Sequence, residues 1–171
     1  MMQKQLILVL FSLVLSMSAC KKSAIDSMKS NKAESFQDFD CLSKSVDKPL
    51  LVSTVRSKID GEWQLRGTIF NMPTTEVPDV RIIFQTLSGI LSDIHMISLY
   101  EGGVFKHSIT YTLKQEGLNT IPYVTLVTDK DHFDNGDYNF FRGTIRICDN
   151  ELMIDNGIAF DAPGYLFRKI K

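Results

Sequence analysis

Two kinds of side chain are scarce enough here to follow one by one: the histidines His95, His107 and His132, and the cysteines Cys20, Cys41 and Cys148. No histidine stands at metal-site spacing from another ligand residue. No CxxC pair occurs, so neither a zinc knuckle nor a thioredoxin-type centre is encoded. The segment 129–137, DKDHFDNGD, is rich in carboxylates, but a calcium loop would place Phe133 at its third ligand position and lacks a closing glutamate. It reads as a solvated hairpin loop. There is no GxSxG elbow, P-loop or GxGxxG. The residues therefore point to no catalytic site, no metal and no cofactor. A net charge of −1, with both signs scattered, offers no basic surface for nucleic acid.

Cys20 stands apart from the other two cysteines. Lys4 is the only charge before Lys21, and residues 6–15 are apolar but for Ser12. A membrane-spanning helix needs about 20 apolar residues, so this run has instead the length of a signal-peptide core. Ser16, Ser18 and Ala19 then offer small side chains to a peptidase. Met17-Ser18-Ala19-Cys20 resembles the lipobox of bacterial lipoproteins, with methionine where the family prefers leucine. The resemblance implies a diacylglyceryl group on the Cys20 thiol, cleavage before it, and acylation of the new amine. Each buried methylene contributes about 0.8 kcal/mol, and two or more chains hold stably, so the partner of residue 20 is a membrane. Lys21 in the next position implies, by the same resemblance, the bacterial outer membrane, with its periplasmic and surface faces both open. The plainer alternative is a cleaved signal followed by an unmodified cysteine.

The expected organisation is a signal peptide (1–19), a lipidated cysteine with tether and docking arm (20–48), and one folded domain (49–171). Residues 21–32, KKSAIDSMKSNK, are too polar to fold alone and read as a flexible tether. Phe36, Phe39, Leu42 and Val46 recur at spacings of three, three and four, which suggests a short amphipathic helix or turn docked on the domain. An oxidising compartment permits a Cys41–Cys148 disulfide; two free thiols are the alternative.

Asp47, as N-cap ahead of Pro49, Leu51, Val55 and Ile59, suggests a short helix, with a strand as the competing reading of LLVSTV at residues 50–55. From Gly61 the apolar period becomes two. Trp63, Leu65, Gly67 and Ile69 alternate with polar residues, as do Val80, Ile82 and Phe84. Phe105, His107, Ile109, Tyr111 and Leu113 follow, then Phe141, Gly143, Ile145 and Ile147, and finally Leu166, Arg168 and Ile170. Glycine- and asparagine-bearing turns separate them. The expectation is an all-β, antiparallel, up-and-down barrel of about eight strands with short N-terminal helical segments. A two-sheet sandwich satisfies the same alternation.

Asp60-Gly61-Glu62-Trp63 opening the first strand and Arg168 in the last resemble the lipocalin (calycin) pattern. There a GxW motif begins strand one, and an arginine from the end of the barrel stacks on the tryptophan. The resemblance implies structural roles for Gly61, Trp63 and Arg168, and a lipocalin-like barrel. A barrel of this size either fills with side chains or holds one ligand. The first functional expectation is binding of a small apolar or amphipathic ligand by Phe84, Phe105, His107, Tyr111 and Phe141, with Gly67 and Gly143 leaving room. The second is an envelope interaction protein (an inhibitor, immunity protein or assembly factor) with a filled barrel. Its partner would be met by loops 71–79, 101–103, 114–120 and 129–137, Val77-Pro78 among them.

Overall fold

The computed structural model describes residues 30–45, 47–70, 74–90, 92–117, 119–128, 141–160 and 162–171. The signal peptide, Cys20, the tether up to residue 29, Val46, His132 and the 129–137 loop lie outside the described residues.

Along the chain come β1 (Ser30–Lys32), a 3-10 turn (Phe36–Asp38), α1 (Asp40–Ser43), α2 (Val52–Ile59), β2 (Gly61–Ile69), β3 (Glu76–Pro78), β4 (Val80–Leu87), β5 (Ile94–Glu101), β6 (Val104–Glu116), β7 (Tyr123–Thr128), β8 (Gly143–Cys148), β9 (Glu151–Asp155), a second 3-10 turn (Ile158–Phe160) and β10 (Gly164–Lys169). Strands β2 and β4 to β10 form a closed antiparallel barrel in meander order, with β10 returning to β2. Closure removes the sheet's free edges. The expected eight-stranded barrel is thus the fold, and the sandwich is not. Gly102 and Gly103, at φ 57° and 81°, make the tight turn between β5 and β6.

Among the described residues, two β-bulges interrupt the alternation. Leu99 pairs with His107 but Tyr100 pairs with Phe105, leaving Lys106 as the extra residue of β6. Phe167 pairs with Leu65 but Leu166 pairs with Gly67, leaving Arg66 as the extra residue of β2. Beyond a bulge every side chain changes face. Phe105 and Gly67, both expected inside, therefore face outward. Gly67 makes room for the arm, not for a ligand: a Cβ there would strike the Glu34 carbonyl.

The core is one cluster inside the barrel, with Trp63, Leu65, Ile97, Leu126, Leu152 and Phe167 each fully buried. One end, the base, is plugged by α2, which buries Val55 and Ile59 in that cluster. The helix starts later than expected. Leu51, not Asp47, holds the N-cap position. The reason is that the Leu50 N–H is already committed to the Pro122 carbonyl at 2.8 Å, keeping that stretch extended. The first turn is capped from β6 instead, where Gln115 Oε1 accepts from the Val52 N–H at 3.1 Å.

The opposite end, the mouth, carries β3 and the 101–103 turn. The last three residues of the expected tether are not loose: β1 pairs with β3, Ser30 opposite Pro78. Val77, expected in a free loop, is a strand residue only 2% exposed. From β1 the chain descends the outside of the barrel as the expected docking arm, built as two short turns. Phe39 and Leu42 are fully buried there in a second cluster with Met153 and Leu166. β9 and β10 are consequently buried on both faces.

Candidate functional site

At the base, Gly61 has φ 130° and a Cβ there would meet the Lys171 carbonyl, so the position requires glycine. Trp63 is fully buried and its Nε1–H donates to the Ile59 carbonyl at 2.7 Å, tying the plug helix to the first barrel strand. The cation over the indole is Lys169, with Nζ 5.2 Å from the ring centre and donating to the Lys58 carbonyl at 2.9 Å. The expected Arg168–Trp63 stack is corrected by one residue. Tyr165 and Phe167 point inward and Lys169 pairs with Trp63, so Arg168 lies on the outer face with Leu166.

There Arg168 staples the arm to the barrel. Its Nε and Nη2 donate to Glu34 Oε2 at 3.0 and 2.9 Å, its Nη1 to Glu151 Oε1 at 2.7 Å, and its Nη2 also to the Asp38 carbonyl at 2.7 Å. The guanidinium sits 4.3 Å from the Phe39 ring centre. Burial disfavours its charge, but the hydrogen bonds and charges of Glu34 and Glu151 outweigh burial and raise its pKa above the usual value. The second oxygen of Glu151 accepts from the N–H groups of Cys41 and Leu42 at 3.0 and 2.9 Å, so one carboxylate caps α1 and holds the arginine. Ser35, through its backbone N–H and then its hydroxyl, lowers the pKa of Asp38.

Cys41 and Cys148 lie within bonding distance, their Cα atoms 5.6 Å apart, as a disulfide requires. With Asp149 they form the one cluster among the described residues whose ligand atoms are close enough for a metal. Joined sulfurs have no thiolate to offer, so the pair suits a covalent staple.

The expected lining residues divide. Phe84, Tyr111 and Phe141 face inward and are 1%, 4% and 1% exposed. Phe84 and Tyr111 meet edge to face at 5.3 Å, and the half-buried His107 ring lies 4.9 Å from Phe141. Burial, with a smaller push from Asp60, raises the Tyr111 pKa well above its ordinary value. Phe105 is 52% exposed and packs against Tyr100 on the outside. Phe84, Tyr111 and Phe141 belong to the buried cluster inside the barrel. Sequence reading passed over Lys169, Glu34 and Glu151, and also His95. The His95 ring lies 5.6 Å from Tyr111, and its Nδ1 meets Thr86 Oγ1 at 3.1 Å, whose hydroxyl donates to Asp60 at 3.2 Å. His95 shares the inward parity of Ile97, the one signal that marked it.

Cavities open on the outside of the barrel among the described residues. One of about 320 Å³ runs between the 47–50 segment and β7–β8, under Ile121 and Tyr123. Another, of about 430 Å³, lies beside the cysteine pair and Arg168. Exposed apolar residues gather at the two ends: Leu51, Leu87, Ile90, Ile94, Ile121 and Tyr123 at the base, and Phe70, Val104 and Phe105 at the mouth. The chain matches no known family model, no curated protein and no solved structure.

Proposed function

We propose that this protein is a lipid-anchored protein of the bacterial outer membrane that acts through its surface, as an envelope interaction protein (an inhibitor, immunity protein or assembly factor), and not as an enzyme. The observation that carries this reading over the small-ligand alternative is the interior. Inner-face residues of seven barrel strands, Leu65, Ile82, Ile97, Leu126, Ile145, Leu152 and Phe167, are fully buried, and on β6 Tyr111 is 4% exposed while His107, Ile109 and Leu113 are half-buried. A side chain with no accessible surface has no water-sized space beside it, and a ligand cavity of a few hundred Å³ would leave such space. The anchor rests on the Met17-Ser18-Ala19-Cys20 motif and the apolar run before it.

The surface for a partner is the base. Leu87 and Ile94 pair across the β4–β5 hairpin on its outer face, each 48% exposed, and Ile90 at the tip is fully exposed. Apolar residues grouped in this way on a water-exposed hairpin fit an association surface. The test is native mass spectrometry of the protein extracted from membranes in mild detergent, together with crosslinking in intact cells. The expected result is a mass equal to the chain from Cys20 plus acyl groups, and one crosslinked envelope protein lost on Ile90→Asp. A stoichiometric copurifying small molecule retained by the unfolding-sensitive core would instead establish the ligand-binding alternative. An unmodified Cys20 would remove the anchor.

A further inference from the structure

We infer that the mouth of the barrel is a membrane-docking face, and that the anchored protein stands mouth-down on the lipid with its base directed away. The inference rests on the proposed acylation of Cys20. Its second support is where the chain leaves the folded body. Ser30 pairs with Pro78, and Asp79, the next residue, accepts through its carbonyl from the Gly102 N–H at 2.8 Å. The exit of the tether is therefore knitted to the turn that presents Val104 and Phe105. These are 62% and 52% exposed, and Phe70, 51% exposed, follows β2 on the same rim.

Chain length favours the same orientation. Ten steps separate Cys20 from Ser30 and extend to at most ~35 Å. The six to nine residues of β2, β7 and β10 rise roughly 20–30 Å along the strand. Mouth-down, the tether spans only the headgroup layer and keeps its slack. Base-down, most of its length must run along the barrel wall, at an entropic cost. Two aromatic rings and a valine at the exit then enter the headgroup boundary at the site where acyl chains already hold the body at high local concentration. The occupant of this rim is thus the bilayer that carries the anchor.

The experiment uses the full acylated chain reconstituted into phosphatidylcholine vesicles brominated on the acyl chains. Trp63, the one native tryptophan, is fully buried and supplies a constant background. Single Phe105→Trp, Val104→Trp and Ile90→Trp variants add one reporter at each end; all three sites are exposed, so the fold tolerates the change. The added emission of Phe105→Trp and Val104→Trp should fall by about half or more, as for a ring roughly 5–10 Å into the boundary. That of Ile90→Trp should stay within the scatter of Trp63. Vesicle flotation separates the two ideas. A protein that floats but shows quenching only at Ile90→Trp, or at neither end, overturns the mouth-down orientation alone. A protein that fails to float overturns the anchor, and this inference with it.

Discussion

Removing the Arg168 side chain tests where this fold carries its load. The Glu34 carboxylate and the guanidinium are each 31% exposed, so solvent screening leaves that pair at ~1 kcal/mol or less. Glu151 is different, because its side chain is only 9% exposed and its second oxygen is already committed to α1. Losing the 2.7 Å bond leaves a buried carboxylate without its cation, a cost of about 1.5–3 kcal/mol. The stack on Phe39 adds about 0.5–1 kcal/mol. Arg168→Ala should therefore destabilise by roughly 2–4 kcal/mol. Lys169→Ala, which removes one half-buried amine from Trp63, should cost about 1 kcal/mol or less. The assay is urea unfolding followed by Trp63 fluorescence, one buried reporter for the whole barrel. Arg168→Lys should recover less than half of the loss, since an ammonium cannot bridge two carboxylates as a fork does. In a double-mutant cycle with Glu151→Gln the coupling should exceed about 1 kcal/mol. A loss below about 0.5 kcal/mol on Arg168→Ala, or a larger loss on Lys169→Ala, would refute the assignment of the staple to the outer face.

Reduction, or Cys41→Ser with Cys148→Ser, should lower the urea-derived stability by roughly 2–5 kcal/mol, because the bond closes a loop with a sequence separation of 107; peptide mapping without reductant should find the linked pair. Tyr111 gives an alkaline signature. In the unfolded chain it loses its proton near pH 10, while burial keeps it protonated in the barrel, so stability is intact below about pH 10 and falls as pH climbs above it. Tyr111→Phe should flatten that alkaline limb in thermal melts across pH 8–11, and an unchanged slope would count against the buried hydroxyl. Gly67→Ala should loosen the arm, seen as faster proteolysis within residues 30–45, because the new methyl meets Glu34; a ligand pocket would have absorbed it silently. Phe84→Ala should cost about 3–5 kcal/mol, whereas Phe105→Ser should stay within about 1 kcal/mol by the same denaturation assay.

The barrel was legible because most strands have one wet face. Val80, Ile82 and Phe84 alternate with Arg81 and Ile83, and the inward set is the one the structure buries. The same rule misled at β10. The arm covers its outer face, so Tyr165, Leu166 and Phe167 are all buried and alternation no longer distinguishes inside from outside. That single ambiguity exchanged Arg168 for Lys169. Bulges turned Phe105 and Gly67 to the other face, because an extra residue at Lys106 or Arg66 leaves no compositional mark. The arm itself was visible in the spacing of Phe36, Phe39 and Leu42. Its charged fastening was not, because Glu34, Glu151 and Arg168 are far apart in sequence and ordinary in type.

The route of the N-terminal strap decides how this molecule bears a pull. Tension entering at Ser30 first unzips the three residue pairs of β1 and β3, then peels the strap from the barrel wall as far as Cys41. A covalent bond to Cys148 arrests the peeling there, with every hydrogen-bonded stave of the barrel still closed. A tug on the leading end is therefore spent on a sacrificial strip, and the body behind it keeps its shape.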